Sequence, residues 1–147
     1  MIKPEPNLIE ELAEFSSDPL GFVLFAFPWG EPGGELEHRL GPDVWQEKLL
    51  CDLRDGLISA SEAIQLARTS GHGVGKSAVV AWIILWAIST FEDTRGVVTA
   101  NTENQLKTKT WVDVAKRICR FPGRGYFQMT ATAQASREPA QEPTRRV

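Results

Sequence analysis

Apolar residues recur at helical spacing through Leu8 to Phe15 (LIEELAEF) and predict a first helix. Asp18 then stands before Pro19, an N-cap residue followed by one suited to the first helical position. The run behind them, LGFVLFAF, is strongly apolar and reads as a short buried helix. PWGEPGGE, residues 28 to 35, is a loop by its Pro and Gly content. Gly41-Pro42-Asp43 opens another helix, with Val44, Trp45, Lys48, Leu49 and Leu53 at amphipathic spacing as far as Leu53, and Gly56 punctuates it. Ala63 to Thr69 (AIQLART) predicts a short strand with Ile64 and Leu66 on one side, and a helix through SEAIQLA fits the same residues. The glycine-rich stretch SGHGVGKSAVV, residues 70 to 80, leads into a helix from Lys76 to Thr90. After the polar connection FEDTRG, Gly96 to Asn101 (GVVTAN) reads as a short buried strand. Thr102 and Gln105 form a capping box for a helix whose apolar stripe is Trp111, Val114, Ala115 and Ile118. FPGRG, residues 121 to 125, ends that helix, and Tyr126 to Ala133 (YFQMTATA) is a last expected strand. From Gln134 the chain is polar and Pro-containing, so a disordered tail is expected over 134 to 147. The alternation of strands and helices after residue 63 predicts an α/β fold with a short parallel sheet flanked by helices.

Composition bounds this picture. A chain of 147 residues, 42% hydrophobic and 24% charged, is one domain or part of one and can bury a core. The net charge of −3 says little about partners. Its distribution says more: residues 1 to 101 hold 7 basic and 15 acidic side chains, residues 102 to 147 hold 9 basic and 4 acidic. A basic half suits an anionic partner such as double-stranded DNA, and a lysine-rich solvated helix with a charged tail fits the same counts. Cys51 and Cys119, with His38 and His72, lack metal-ligand spacing, so no zinc site is expected. Two thiols, an acidic N-terminus unlike a signal peptide, and an apolar run (Ala78 to Ile88) shorter than the roughly 20 residues that span a bilayer point to the cytoplasm and to no membrane partner.

The chemistry concentrates in residues 70 to 77. Backbone N–H donors wrap a polyphosphate well because they do not swing away, and glycines let the backbone approach and adopt positive φ. A helix starting directly behind adds the positive end of its dipole. The pattern G-x-x-x-x-G-K-[ST] is met at Gly75, Lys76 and Ser77, with Ser70 at the first position and Gly71 and Gly73 inside. Ser70, Gly71, His72, Gly73, Val74, Gly75, Lys76 and Ser77 are therefore candidate ATP-binding residues, with Ser77 offering its hydroxyl to Mg²⁺. His72 reads as a loop residue near the phosphates rather than a base, and Arg68 as a surface arginine or a phosphate contact. Gln46, 30 residues before Lys76, carries an amide that can pair with the N6 and N7 edge of adenine, or stand solvated on its helix.

Hydrolysis needs an acidic residue at a strand end to hold Mg²⁺ through water, and a base for the attacking water. Glu92 and Asp93 come nearest, but they follow the helix that leaves the loop. Glu103, Asp113, Glu138 and Glu142 fall on a cap, a helix and the tail. No catalytic residue is assigned, and the chain is expected to stop partway through its own fold.

The stretch SGHGVGKSAVVAWIILWAISTFEDTRGVVTANTENQLKTKTW resembles the ATPase region of phage large terminase subunits, the motors that package DNA. DPLGFVLFAFPWGEPG and DVWQEKLL resemble its N-terminal part, and YFQMTATAQAS its next strand, so the likeness covers residues 18 to 136. The resemblance implies a P-loop ATPase domain of the additional-strand class and a metal-dependent nuclease domain. It implies that Gly75, Lys76 and Ser77 hold phosphates and Mg²⁺ and that Gln46 reads adenine. Thr99 to Gln105 resembles a helicase-like segment near nucleic acid, and the implied partners are double-stranded DNA, the small subunit and the portal. The Walker B strand, the nuclease domain and a basic residue within the loop are not found. The domain reading is thus a helical and loop segment at 1 to 40, an incomplete P-loop domain at 41 to 133 and the tail. The expected function is an ATP-binding fragment of a packaging motor, truncated and unable alone to hydrolyse ATP or cut DNA, as from a degraded prophage gene. Two alternatives stand beside it. One is a fragment of another DNA-dependent ATPase, of helicase or replication-initiator type. The other is a non-enzymatic DNA- or partner-binding module with a vestigial loop, using Lys107, Lys109, Lys116, Arg117 and Arg120. An open sheet edge predicts marginal stability.

Overall fold

A computed structural model of the chain describes residues 6–59, 63–69, 71, 73, 75–99, 102, 104, 106–121, 127–129 and 134–136. The helices among them are α1 (Pro6–Glu14), α2 (Pro19–Ala26), α3 (Val44–Ile58), α4 (Lys76–Thr90) and α5 (Trp111–Arg120). A 3₁₀ turn at Phe15–Ser17 follows α1, and a π-helical turn at Leu106–Thr110 leads into α5. No helix of the described residues is long and apolar enough to cross a membrane.

Helix α2 begins as its sequence predicts. The Asp18 carboxylate accepts from the Gly21 N–H at 3.1 Å, and Pro19 occupies the first turn, where its missing N–H is not needed. Its residues Phe22, Val23 and Ala26 are buried. Helix α4 follows the predicted span and forms the centre of the core, burying Ala78, Val79, Ala81, Trp82, Leu85 and Trp86. Each large apolar side chain buried there contributes about 1.5–3 kcal/mol. Two indole N–H groups are used across elements: Trp86 Nε1 donates to Phe15 O at 2.7 Å, and Trp29 Nε1 donates to Val23 O at 2.9 Å, while the buried Trp82 Nε1 has no hydrogen-bond partner among the described residues. Phe27 and Trp29 lie 6.1 and 5.8 Å from the Trp82 ring. Val114 of α5 and Phe121 just beyond it close the same core, with Phe121 5.7 Å from Phe22.

Helix α3 runs past Gly56, where the pattern predicted a stop. Space explains it: a Cβ at Gly56 would lie 2.8 Å from Ile64 Cγ2, so glycine is where another segment touches the helix. That segment is Ala63 to Thr69, and it carries no strand pairing. Ile64 rests on Gly56, Arg68 forms an ion pair with Asp52, and Gly75 meets Gln46. Because these contacts fall in reverse order along α3, the segment runs back along the helix instead of joining a sheet.

The expected α/β fold with a parallel sheet is therefore corrected, and the additional-strand P-loop class with it. Residues 96 to 99 also lack strand pairing, and Val97, read as part of a buried strand, is 90% exposed. The strand pairing among the described residues is a two-stranded antiparallel ribbon, β1 (Phe127–Met129) with β2 (Gln134–Ser136), Gln128 facing Ala135. β1 falls inside the expected last strand, and β2 inside the expected tail. Short apolar runs cannot be told from other buried or half-buried segments by periodicity, and strand preference depends on the partner a segment finds. Thr102 is a bend, and Gln105, its expected capping partner, lies outside the described residues.

The loop between α2 and α3 is tied to α5 by Glu35, which accepts from Arg120 at 2.7 Å. That hydrogen bond, and then the Arg120 charge, hold the Glu35 carboxyl below the usual carboxylate range. A lowered folded pKa stabilises the fold above the ordinary carboxylate pKa, and the gain is lost as pH falls through the folded value. Glu35→Gln should thus lower the thermal midpoint slightly at neutral pH, the pair being exposed, and the deficit should vanish in acid; a deficit independent of pH would contradict this. Gly56→Ala should destabilise the chain, although alanine is favoured over glycine inside helices by about 1 kcal/mol. In an Ile64→Ala background the penalty should disappear, and strictly additive effects in denaturant unfolding of the four proteins would refute the contact.

Candidate functional site

The loop and its helix meet where glycine is obligatory. Gly73 and Gly75 have φ of 74° and 83°, the left-handed region that costs other residues about 1–2 kcal/mol. Gly75 is the N-cap of α4, so the helix starts without a capping side chain at that position. No acidic residue occupies the first turn, so no side chain of that turn opposes the positive end of the helix dipole.

Lys76 and Ser77 are the first two residues of α4, Lys76 exposed and Ser77 half-buried. Lys76 Nζ donates to Gly71 O at 3.0 Å, so the side chain folds back over the loop it belongs to. Gly71 and Gly73 are exposed. Ser70, His72 and Val74 lie outside the described residues.

Gln46 is brought to the same place from α3 and is 1% exposed. Its Oε1 accepts from the Asp43 N–H at 2.8 Å, completing the capping box of α3. Its Nε2 donates to Gly75 O at 3.1 Å. The same carbonyl accepts from the Val79 N–H at 3.3 Å, the first main-chain bond of α4. A Cβ on Gly75 would stand 2.7 Å from Nε2, so packing as well as φ excludes a side chain there.

Arg68 does not point its charge into the loop, because it pairs with Asp52 of α3. Glu92 and Asp93 are exposed in the turn after α4. Fifteen helical residues separate that turn from the loop, about 22 Å at 1.5 Å per residue. Among the described residues no group of three or more His, Cys, Asp and Glu could hold a metal ion.

The roles of Asp52 and Gly56 in holding the loop's approach were not legible as function. In the sequence Gly56 reads as the end of its helix, although a glycine inside a helical pattern can equally have a packing reason. Farther along the core, Arg117 lies over Trp82 with its guanidinium carbon 5.3 Å from the ring centroid. Burial, partly offset by the Asp113 charge, pushes its pKa down.

Comparison with family models, with curated proteins and with solved structures finds no match to this chain.

Gly73→Ala and Gly75→Ala separate backbone from packing. The first should cost about 1–2 kcal/mol, because nothing lies within 4 Å of its added Cβ. The second should cost roughly 1 kcal/mol more, since its Cβ also displaces the Gln46 amide. Equal losses in denaturant unfolding would mean that Gln46 does not press on the loop.

Proposed function

We propose that the chain binds ATP through the loop before α4, as the ATP-binding part of a DNA-packaging motor of the large-terminase kind. The observation that carries the ATP reading is the conjunction at one helix start. Gly75 occupies a left-handed N-cap, Lys76 follows directly and is folded over the loop, and the first turn holds no acid. The Lys76–Gly71 bond joins an ammonium to a neutral carbonyl at an exposed position. A phosphate oxygen in its place adds the attraction of an opposite charge to a bond whose donor is already ionised. Backbone N–H groups of the first turn would share the same phosphate.

Ser77 stands beside Lys76 with its hydroxyl at the start of α4 and suits a Mg²⁺ carried in with the nucleotide. The ion would neutralise phosphate charge when bound. The chain's own contribution is to hold the polyphosphate tail. Glu92 and Asp93 sit at the far end of α4, so binding without appreciable turnover is the proposed outcome. The motor assignment, with double-stranded DNA, small subunit and portal as partners, is supported by the sequence resemblance over residues 18 to 136 and not by the fold.

Equilibrium binding of a fluorescent ATP analogue tests the reading. Binding should require Mg²⁺ and weaken on the order of 10- to 100-fold in Lys76→Ala, the loss of one hydrogen bond to a charged group. Binding unaffected by Lys76→Ala would sink the proposal, and rapid ATP turnover would sink its non-hydrolytic part.

A further inference from the structure

We infer that Gln46 is a positioning residue that braces the phosphate loop, so that the site takes the polyphosphate tail of any nucleoside triphosphate and does not select adenine. This rests on the nucleotide reading above and departs from the adenine-reading role that the resemblance implies for Gln46.

Recognition of adenine by a glutamine uses both ends of the amide, the NH₂ donating to N7 and the carbonyl accepting from N6. Both ends are already committed within the chain. Oε1 holds the Asp43 N–H at 2.8 Å and Nε2 holds Gly75 O at 3.1 Å. At 1% exposure the side chain offers no edge to a base. Turning it outward would orphan a cap donor on α3 and strip one of two donors from Gly75 O, each loss adverse in a buried setting.

The brace acts through peptide geometry. In a trans peptide the carbonyl and the following N–H point in opposite directions. Gln46 and Val79 both draw Gly75 O inward, toward α3 and along α4. The Lys76 N–H of the same peptide is thereby directed away from α3. Upstream, the Arg68–Asp52 pair anchors the chain before the loop to the same helix. α3 thus grips the loop at both flanks, and Gln46 is the grip nearest the phosphates.

The test compares wild type, Gln46→Glu and Gln46→Met for binding of ATP, GTP and inorganic tripolyphosphate, each with Mg²⁺. Glutamate keeps the acceptor for Asp43 N–H and removes the donor to Gly75 O; methionine keeps the volume and removes both. Near-ultraviolet circular dichroism of the tryptophans checks that each variant is folded. Wild type should bind ATP and GTP within about twofold of each other, and both variants should weaken all three compounds by one common factor, on the order of tenfold. Without any nucleotide, amide exchange at Val79 should quicken in both variants. A wild-type preference for ATP that vanishes in the variants, with tripolyphosphate affinity unchanged, would overturn the inference and leave the nucleotide reading intact. Failure of wild type to bind any of the three would overturn the nucleotide reading, and unchanged Val79 exchange would overturn the brace even then.

Discussion

The carbonyl of Gly75 is where the loop and the core become one structure. It receives the side-chain amide of Gln46 from α3 and the main-chain N–H of Val79 from α4. One acceptor therefore joins the capped end of one helix to the open end of another. Each helix end answers a different need. Gln46 Oε1 takes the Asp43 N–H at the start of α3, whereas the N-cap of α4 is a glycine with no side chain to offer. Helix ends ordinarily recruit Ser, Thr, Asp or Asn for this purpose. A helix that begins with a left-handed glycine and then a lysine has exchanged capping stability for a positively polarised surface.

That exchange is tolerable because α4 does not depend on its cap. It is apolar around most of its circumference, and Trp82 and Leu85 are buried against α2, α5 and the loop aromatics. Helical stability in proteins comes chiefly from such packing. The two indole N–H groups bonded to Phe15 O and Val23 O give the aromatic cluster direction as well as volume. Arg117 adds a cation over the Trp82 ring. The exposed end and the buried body of α4 are thus different chemical objects on one rod.

Sequence reading reached the parts of this arrangement that are encoded locally. The Asp18–Pro19 start, the span of α4 and the glycines at 73 and 75 depend on caps, dihedral tolerance and apolar runs, which a short window contains. The sheet depended on partners, which a window does not contain. Ile64 and Leu66 have strand-like spacing, but Ile64 finds the bare backbone at Gly56, and Arg68 finds Asp52. A segment anchored to a helix at both points has its contacts met without a neighbouring strand. Val97 and Val98 have the composition of a buried strand, yet Val97 stands almost wholly in solvent. Gln46 was singled out for its chemistry, and its burial was not legible. Its capping-box position opposite Asp43 was present in the sequence and offered the better guide, because a glutamine at N3 already has a carbonyl in use.

The placement of the loop also decides how far an event there can be felt. A ligand that binds only the folded chain stabilises whatever must stay folded to hold it, by about 2.7 kcal/mol at a hundredfold excess over its dissociation constant. At residues 96 to 99 such a gain would stay local, since that segment has no strand pairing and Val97 has little burial. At the start of α4 it cannot stay local. Releasing Gly75 O frees the N–H of Val79, a core residue 3% exposed, and loosens the amide of Gln46, which holds the cap of α3. Opening the loop therefore begins to open two helices and the core between them. A charge captured at Lys76 would act on the stability of the whole helical unit, which makes the loop a lever on the fold and not an appendage to it.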